Sequence, residues 1–132
     1  MAIIAKAKVR TDRNKPKVSK NSRWSKRESH LMDKISKEFA DIVRKKLKNH
    51  LKEIILFGSH ARGDFTEGSD YDFLIVVDKR RKTDEKIIQD VGVEYLNKYD
   101  ALIADILCDE TEWKKKKCFP IGLNILKEGV WL

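Results

Sequence analysis

Ile54-Ile55-Leu56-Phe57-Gly58-Ser59-His60-Ala61-Arg62-Gly63, followed after Asp64 to Ser69 by Asp70-Tyr71-Asp72-Phe73-Leu74-Ile75-Val76-Val77, is the stretch whose reading decides the fold. Two aliphatic, β-prone runs bracket a Gly-Ser bend and an Asp-x-Asp pair. The order is therefore buried strand, sharp turn, short helical turn and second buried strand. Gly58 lets the backbone turn tightly and approach a ligand closely. Ser59 supplies a hydroxyl donor, and Arg62 a cationic fork that matches phosphate oxygens. Side chains at i and i+2 of a strand share a face, so Asp70 and Asp72 project together from Cα atoms roughly 6.6 Å apart. Carboxylates so placed can converge on shared cations, as in two-metal phosphoryl-transfer sites.

Working outward, Met32, Ile35, Phe39, Ile42, Val43 and Leu47 recur in steps of three and four, mostly, and predict one buried face of a helix over Ser29 to Leu51. Thr83, Asp84 and Glu85 start a second helix carrying Ile87, Ile88, Val91 and Tyr95. Ala101 to Leu107 reads as a third strand, and Asp109 with Glu112 has capping-box spacing. Pro120 opens a last helix that Gly129 ends, and Val130, Trp131 and Leu132 are too apolar to hang free. The pattern predicts a small α/β domain.

A third acid is expected from the third strand, where Asp105 sits among aliphatic residues. A charge there is expensive unless compensated, and a metal would compensate it. Three clustered carboxylates without cations should also hold a proton, which predicts raised pKa values. Asp100 and Asp109 are alternatives to Asp105, although Asp109 reads better as a helix cap. His60 reads as an exposed turn histidine, and Tyr71 faces away from the two acids into the sheet. Taken singly, Gly-Ser and Asp-x-Asp are commonplace; their combination in this order is what points to a site.

Across its 132 residues the chain is 41% hydrophobic and 38% charged, enough for one domain with a core and too little for several. The formal charge is +8, but residues 1–27 hold ten basic residues against one acid, leaving the remainder near neutral. Residues 1–28 are expected to form a flexible basic arm able to touch nucleic acid, and residues 29–132 the folded domain. No apolar run approaches the roughly 20 residues that cross a bilayer. Met1 to Arg10 lacks a signal-peptide core, so the expected location is the cytosol. Cys108 and Cys118 are too few for a disulfide framework and read as reduced and structural.

Rival phosphate motifs fail. Gly58 and Gly63 have Walker spacing, but Asp64 and Phe65 stand where Lys and Ser or Thr are required, and no Gly-x-Gly-x-x-Gly occurs. Leu74 breaks the calcium-loop pattern that Asp70 and Asp72 would begin. Over about Lys52 to Leu132 the sequence resembles the minimal nucleotidyltransferases of the polymerase-β-like superfamily. Gly58, Ser59, Asp70 and Asp72 match its signature, Asp105 its third carboxylate, and Asn124 to Val130 its closing segment. The resemblance implies a mixed β-sheet flanked by helices, two Mg²⁺ ions on Asp70, Asp72 and Asp105, and ATP as substrate with release of pyrophosphate. In this scheme Gly58, Ser59 and Arg62 position the triphosphate, and Asp105 also helps remove the acceptor's proton. It further implies an antitoxin that pairs with a helical HEPN ribonuclease toxin and adenylylates a tyrosine on it. A binding module acting by complex formation, and nucleotidyl transfer to a small molecule, are the alternatives.

Overall fold

The computed structural model describes the backbone of residues 26–132 and the side chains of residues 34–132. Most of the expected basic arm, and its contact with nucleic acid, lie outside the described residues. Helix α1 (Lys26–Leu47) places Ile35, Phe39, Ala40, Val43 and Leu47 on one buried face, as its apolar spacing predicts. A single 3-10 turn, Lys48–His50, then feeds strand β1 (Leu51–Phe57). After the turn α2 (Ser59–Arg62) comes strand β2 (Tyr71–Val77), and helix α3 (Lys82–Tyr99) crosses over to strand β3 (Ile103–Asp109). Helices α4 (Glu110–Lys116) and α5 (Pro120–Glu128) and the short strand β4 (Val130–Trp131) complete the chain.

The sheet has four strands in the order β3-β2-β1-β4. β1 is antiparallel to β2 and β4, whereas β2 and β3, joined through a helix, are parallel, so the sheet is mixed. Both faces are covered. On one, Phe39 of α1 stacks on Phe73 at 4.4 Å and meets Tyr95 of α3 edge-on at 5.7 Å. On the other, Ile55, Leu74, Val76 and Cys108 pack against Trp113 of α4 and Ile125 of α5. This two-sided burial explains why β2 after Asp72 is an unbroken apolar run; each such side chain contributes about 1.5–3 kcal/mol on burial. Among the described residues no helix is long and apolar enough to cross a membrane.

Several local expectations are met. Asp109 accepts from the Glu112 N–H at 2.8 Å while Glu112 Oε1 accepts from the Asp109 N–H at 2.8 Å, the reciprocal cap that starts α4. Pro120 opens α5, and the apolar terminus docks, with Val130 level with Leu56 and the Leu132 N–H donating to Ile54 O at 3.0 Å. Cys108 is a buried free thiol, its pKa pushed up to about 11 by desolvation, but Cys118 is exposed and has no such core role. β3 begins at Ile103, two residues later than expected, because Ala101 and Leu102 finish the turn out of α3.

Candidate active site

β1 ends at Phe57, and the φ of 80° and ψ of −161° at Gly58 then throw the chain off the sheet. A side chain there would meet both this left-handed penalty and the Asp72 carboxylate, because the bend passes directly against that group. The Gly58 carbonyl accepts from the Ala61 and Arg62 N–H groups, each at 3.0 Å, closing the turn that displays Ser59 and Arg62. Gly63, at φ 86°, ends that turn.

Asp72 is half-buried on the face of β2 that carries Leu74 and Val76, and Asp70 precedes it on the same side. Burial, then the charge of Asp70, and last that of Glu128 hold the Asp72 carboxyl above the usual range, while Arg62 pulls it down. These groups form one electrostatic cluster at the bend. Tyr71 points the other way and is buried, with its phenol raised by desolvation.

Asp105 does not join them. It is level with Phe73 in the β2–β3 ladder, and residues level across a ladder project from the same face. Phe73, Ile103 and Leu107 all belong to the core under α1 and α3; on the face of Asp72 the level residue is Ala104. Asp105 is exposed at the β3 edge, and its raised pKa arises from partial desolvation, opposed by its own backbone N–H, not from a second acid. Neither Asp100 nor Asp109 replaces it: Asp100 ends α3 with φ 56°, and Asp109 caps α4. Among the described residues no three His, Cys, Asp or Glu side chains are grouped to hold a metal ion. A pair of carboxylates suits Mg²⁺ nonetheless, since that ion commonly takes one or two carboxylates and completes its shell with water and substrate phosphate.

His60 is also not where its sequence context puts it. It is 3% exposed, sandwiched between Tyr71 at 3.9 Å and Phe65 at 4.5 Å, and its Nε2–H donates to Ser69 O at 3.0 Å. The ring fills the gap between turn α2 and the start of β2 and so fastens the bend to the Asp-x-Asp strand. Burial lowers its pKa.

Glu128, which no motif in the sequence marks as a site residue, ends α5 and reaches the bend. Its Oε2 accepts from the Gly58 N–H at 2.8 Å, and both carboxylate oxygens accept from Arg62 Nη1, at 3.0 and 3.1 Å. One signal does exist in the sequence. An acid in the last turn of a helix opposes the helix dipole and calls for a partner.

A mixed sheet whose Gly-Ser bend abuts an Asp-x-Asp strand defines this molecule as a nucleotidyltransferase of the polymerase-β-like fold. The chain belongs to the nucleotidyltransferase domain family, whose model matches residues 36–132. It is 40% identical over 97 residues to the Methanocaldococcus jannaschii protein named "Putative protein adenylyltransferase MJ0604", covering 74% of this chain and 93% of that one. It is 33% identical over 99 residues to "Putative protein adenylyltransferase MJ1305" of the same organism, covering 73% of this chain and 67% of that one. A crystal structure described as a putative nucleotidyltransferase from Sulfolobus solfataricus has a TM-score of 0.49 at 26% identity, over 66% of this chain and 75% of that one.

Proposed function

We propose that this nucleotidyltransferase moves AMP from ATP to a protein hydroxyl, a tyrosine of a helical HEPN-type ribonuclease toxin that it neutralises. The observation that carries the reading is the Asp70–Asp72 pair lying against the Gly58 bend. The names of the relatives, protein adenylyltransferases, favour a protein acceptor. The acceptor hydroxyl gives up its proton to water as its oxygen bonds to the α-phosphorus, the bond from that phosphorus to the β-bridging oxygen breaks, and pyrophosphate leaves. Asp70 and Asp72 would hold Mg²⁺, which when bound neutralises phosphate charge and aligns the reacting oxygens. Ser59 and Arg62 bind triphosphate oxygens from the other side of the bend. Most of the rate comes from this alignment and charge neutralisation.

The test is incubation with ATP labelled at the α-phosphate, Mg²⁺ and a small helical protein encoded next to this chain. Label should pass to the partner, disappear with a chelator, and fall by more than about a hundredfold in Asp72→Asn, exceeding the usual loss from merely supporting a metal ligand. Transfer that persists without divalent ions, or in that variant, overturns the proposal.

A further inference from the structure

The geometry points to Glu128 as the positioning residue of the nucleotide site: it holds the Gly58 bend and the Arg62 guanidinium in the arrangement that receives the triphosphate. This inference rests on the reading of Gly58, Ser59 and Arg62 as nucleotide-binding.

Three observations converge on Glu128. First, the carboxylate touches the bend and Arg62 at once, across 70 residues of sequence from Gly58. Second, its approach is fixed by the backbone behind it. A side chain at Gly129 would run into Ile125 O and the Ile55 side chain, so α5 ends tight against β1 and delivers Glu128 to the strand's end. Third, the placement works against the helix dipole, and the Gly58 N–H and Arg62 are what stabilise the charge there.

The consequence falls on Arg62. Its Nε donates to Asp64 at 3.1 Å and its Nη1 to Glu128, so an exposed, rotamer-rich side chain is held from two directions. Nη2 has no protein partner among the described residues and remains for a phosphate oxygen. A guanidinium ordered before the ligand arrives loses less entropy on binding, which is how preorganisation raises affinity. Glu128 itself does not touch the reacting atoms; it acts through Arg62 and Gly58.

The experiment measures MgATP binding and the ATP KM and kcat of the full chain in five forms: unaltered, Glu128→Gln, Glu128→Asp, Arg62→Ala, and Glu128→Gln combined with Arg62→Ala. Amide exchange at Gly58 and thermal unfolding are followed in parallel. Glu128→Gln should raise the ATP KM by about tenfold, the usual worth of a charge-assisted hydrogen bond, with kcat changed less than about threefold. Exchange at Gly58 should quicken, and Glu128→Asp should rescue less than half of the KM loss because its shorter side chain cannot span both partners. In the Arg62→Ala background the substitution at 128 should add clearly less than it does alone, since the part carried by Arg62 is already gone and only the hydrogen bond to the Gly58 N–H is left to lose. Additive effects on KM, or a fall in melting temperature with KM unchanged, would overturn the inference and assign Glu128 a structural role. Failure of the unaltered chain to bind MgATP would instead sink the nucleotide-site reading and this inference with it.

Discussion

The start of β2 and the middle of β3 each carry an aspartate among aliphatic neighbours, yet the sheet treats them oppositely. At the start of β2, Asp72 faces the Gly58 bend, feels Asp70, Arg62 and Glu128, and is raised by burial and by like charge. In β3, Asp105 is turned to the other face, level with Phe73, and is raised by desolvation alone. An acid becomes part of a site when the register brings it to the same face as its partners, and one residue of offset is sufficient to exclude it.

Replacing the bend should break this contrast most severely. In Gly58→Ala the new methyl group carries both the left-handed penalty and a collision with the Asp72 carboxylate. We expect unfolding free energy to drop by about 2–4 kcal/mol and adenylyl transfer to be lost, measured by urea denaturation and label transfer. A fully stable, active variant would show that the bend is not held against β2.

The start of β2 was legible in the sequence because its meaning is local. Gly58 needs a turn, Asp70 and Asp72 share a face by alternation, and Tyr71 between them must face away. β3 was not legible in that way. Residues 103–109 lie in a sheet covered on both sides, so apolar residues occur in both phases, and nothing within the strand tells which phase meets Asp72. The pairing with β2 decides it, and that is a tertiary fact. His60 went astray for a related reason: a polar residue in a four-residue turn reads as exposed until Phe65 and Tyr71 close over it. Glu128 was hidden by sequence distance, although its place at the end of α5 gave a hint.

His60 sharpens the contrast through pH. The neutral imidazole is the form that fits between the two rings, so the folded protein binds this proton less readily than the unfolded chain, whose ordinary value is 6.5. Its contribution to stability is therefore full above 6.5 and is lost as pH falls toward the lowered folded value. Urea midpoints measured from neutral pH down to the mildly acidic range should fall, and His60→Phe should flatten that part of the curve. An unchanged slope in the variant would place the titrating group elsewhere.

The smallest effect is expected at Asp105, and it decides most. With its carboxylate on the face away from Asp70 and Asp72, Asp105→Asn should leave kcat for adenylyl transfer within about threefold of the unaltered enzyme, as for positions outside the reacting cluster. Removing a partly desolvated charge should also help the fold slightly. The raised folded pKa means the ionised form is the disfavoured one, so stability from this group is full below the unfolded value near 3.8 and is lost as pH rises through the folded value. At neutral pH the asparagine variant should then match or exceed the parent in urea midpoint. A loss of transfer comparable with that of Asp72→Asn would mean that β3 slips by one residue against β2 in the working enzyme, exchanging Ala104 for Asp105 beside the bend. Such a slip would carry Ile103 and Leu107 out of the core under α1 and α3, so a crosslink locking β3 in the register seen here would then have to abolish activity.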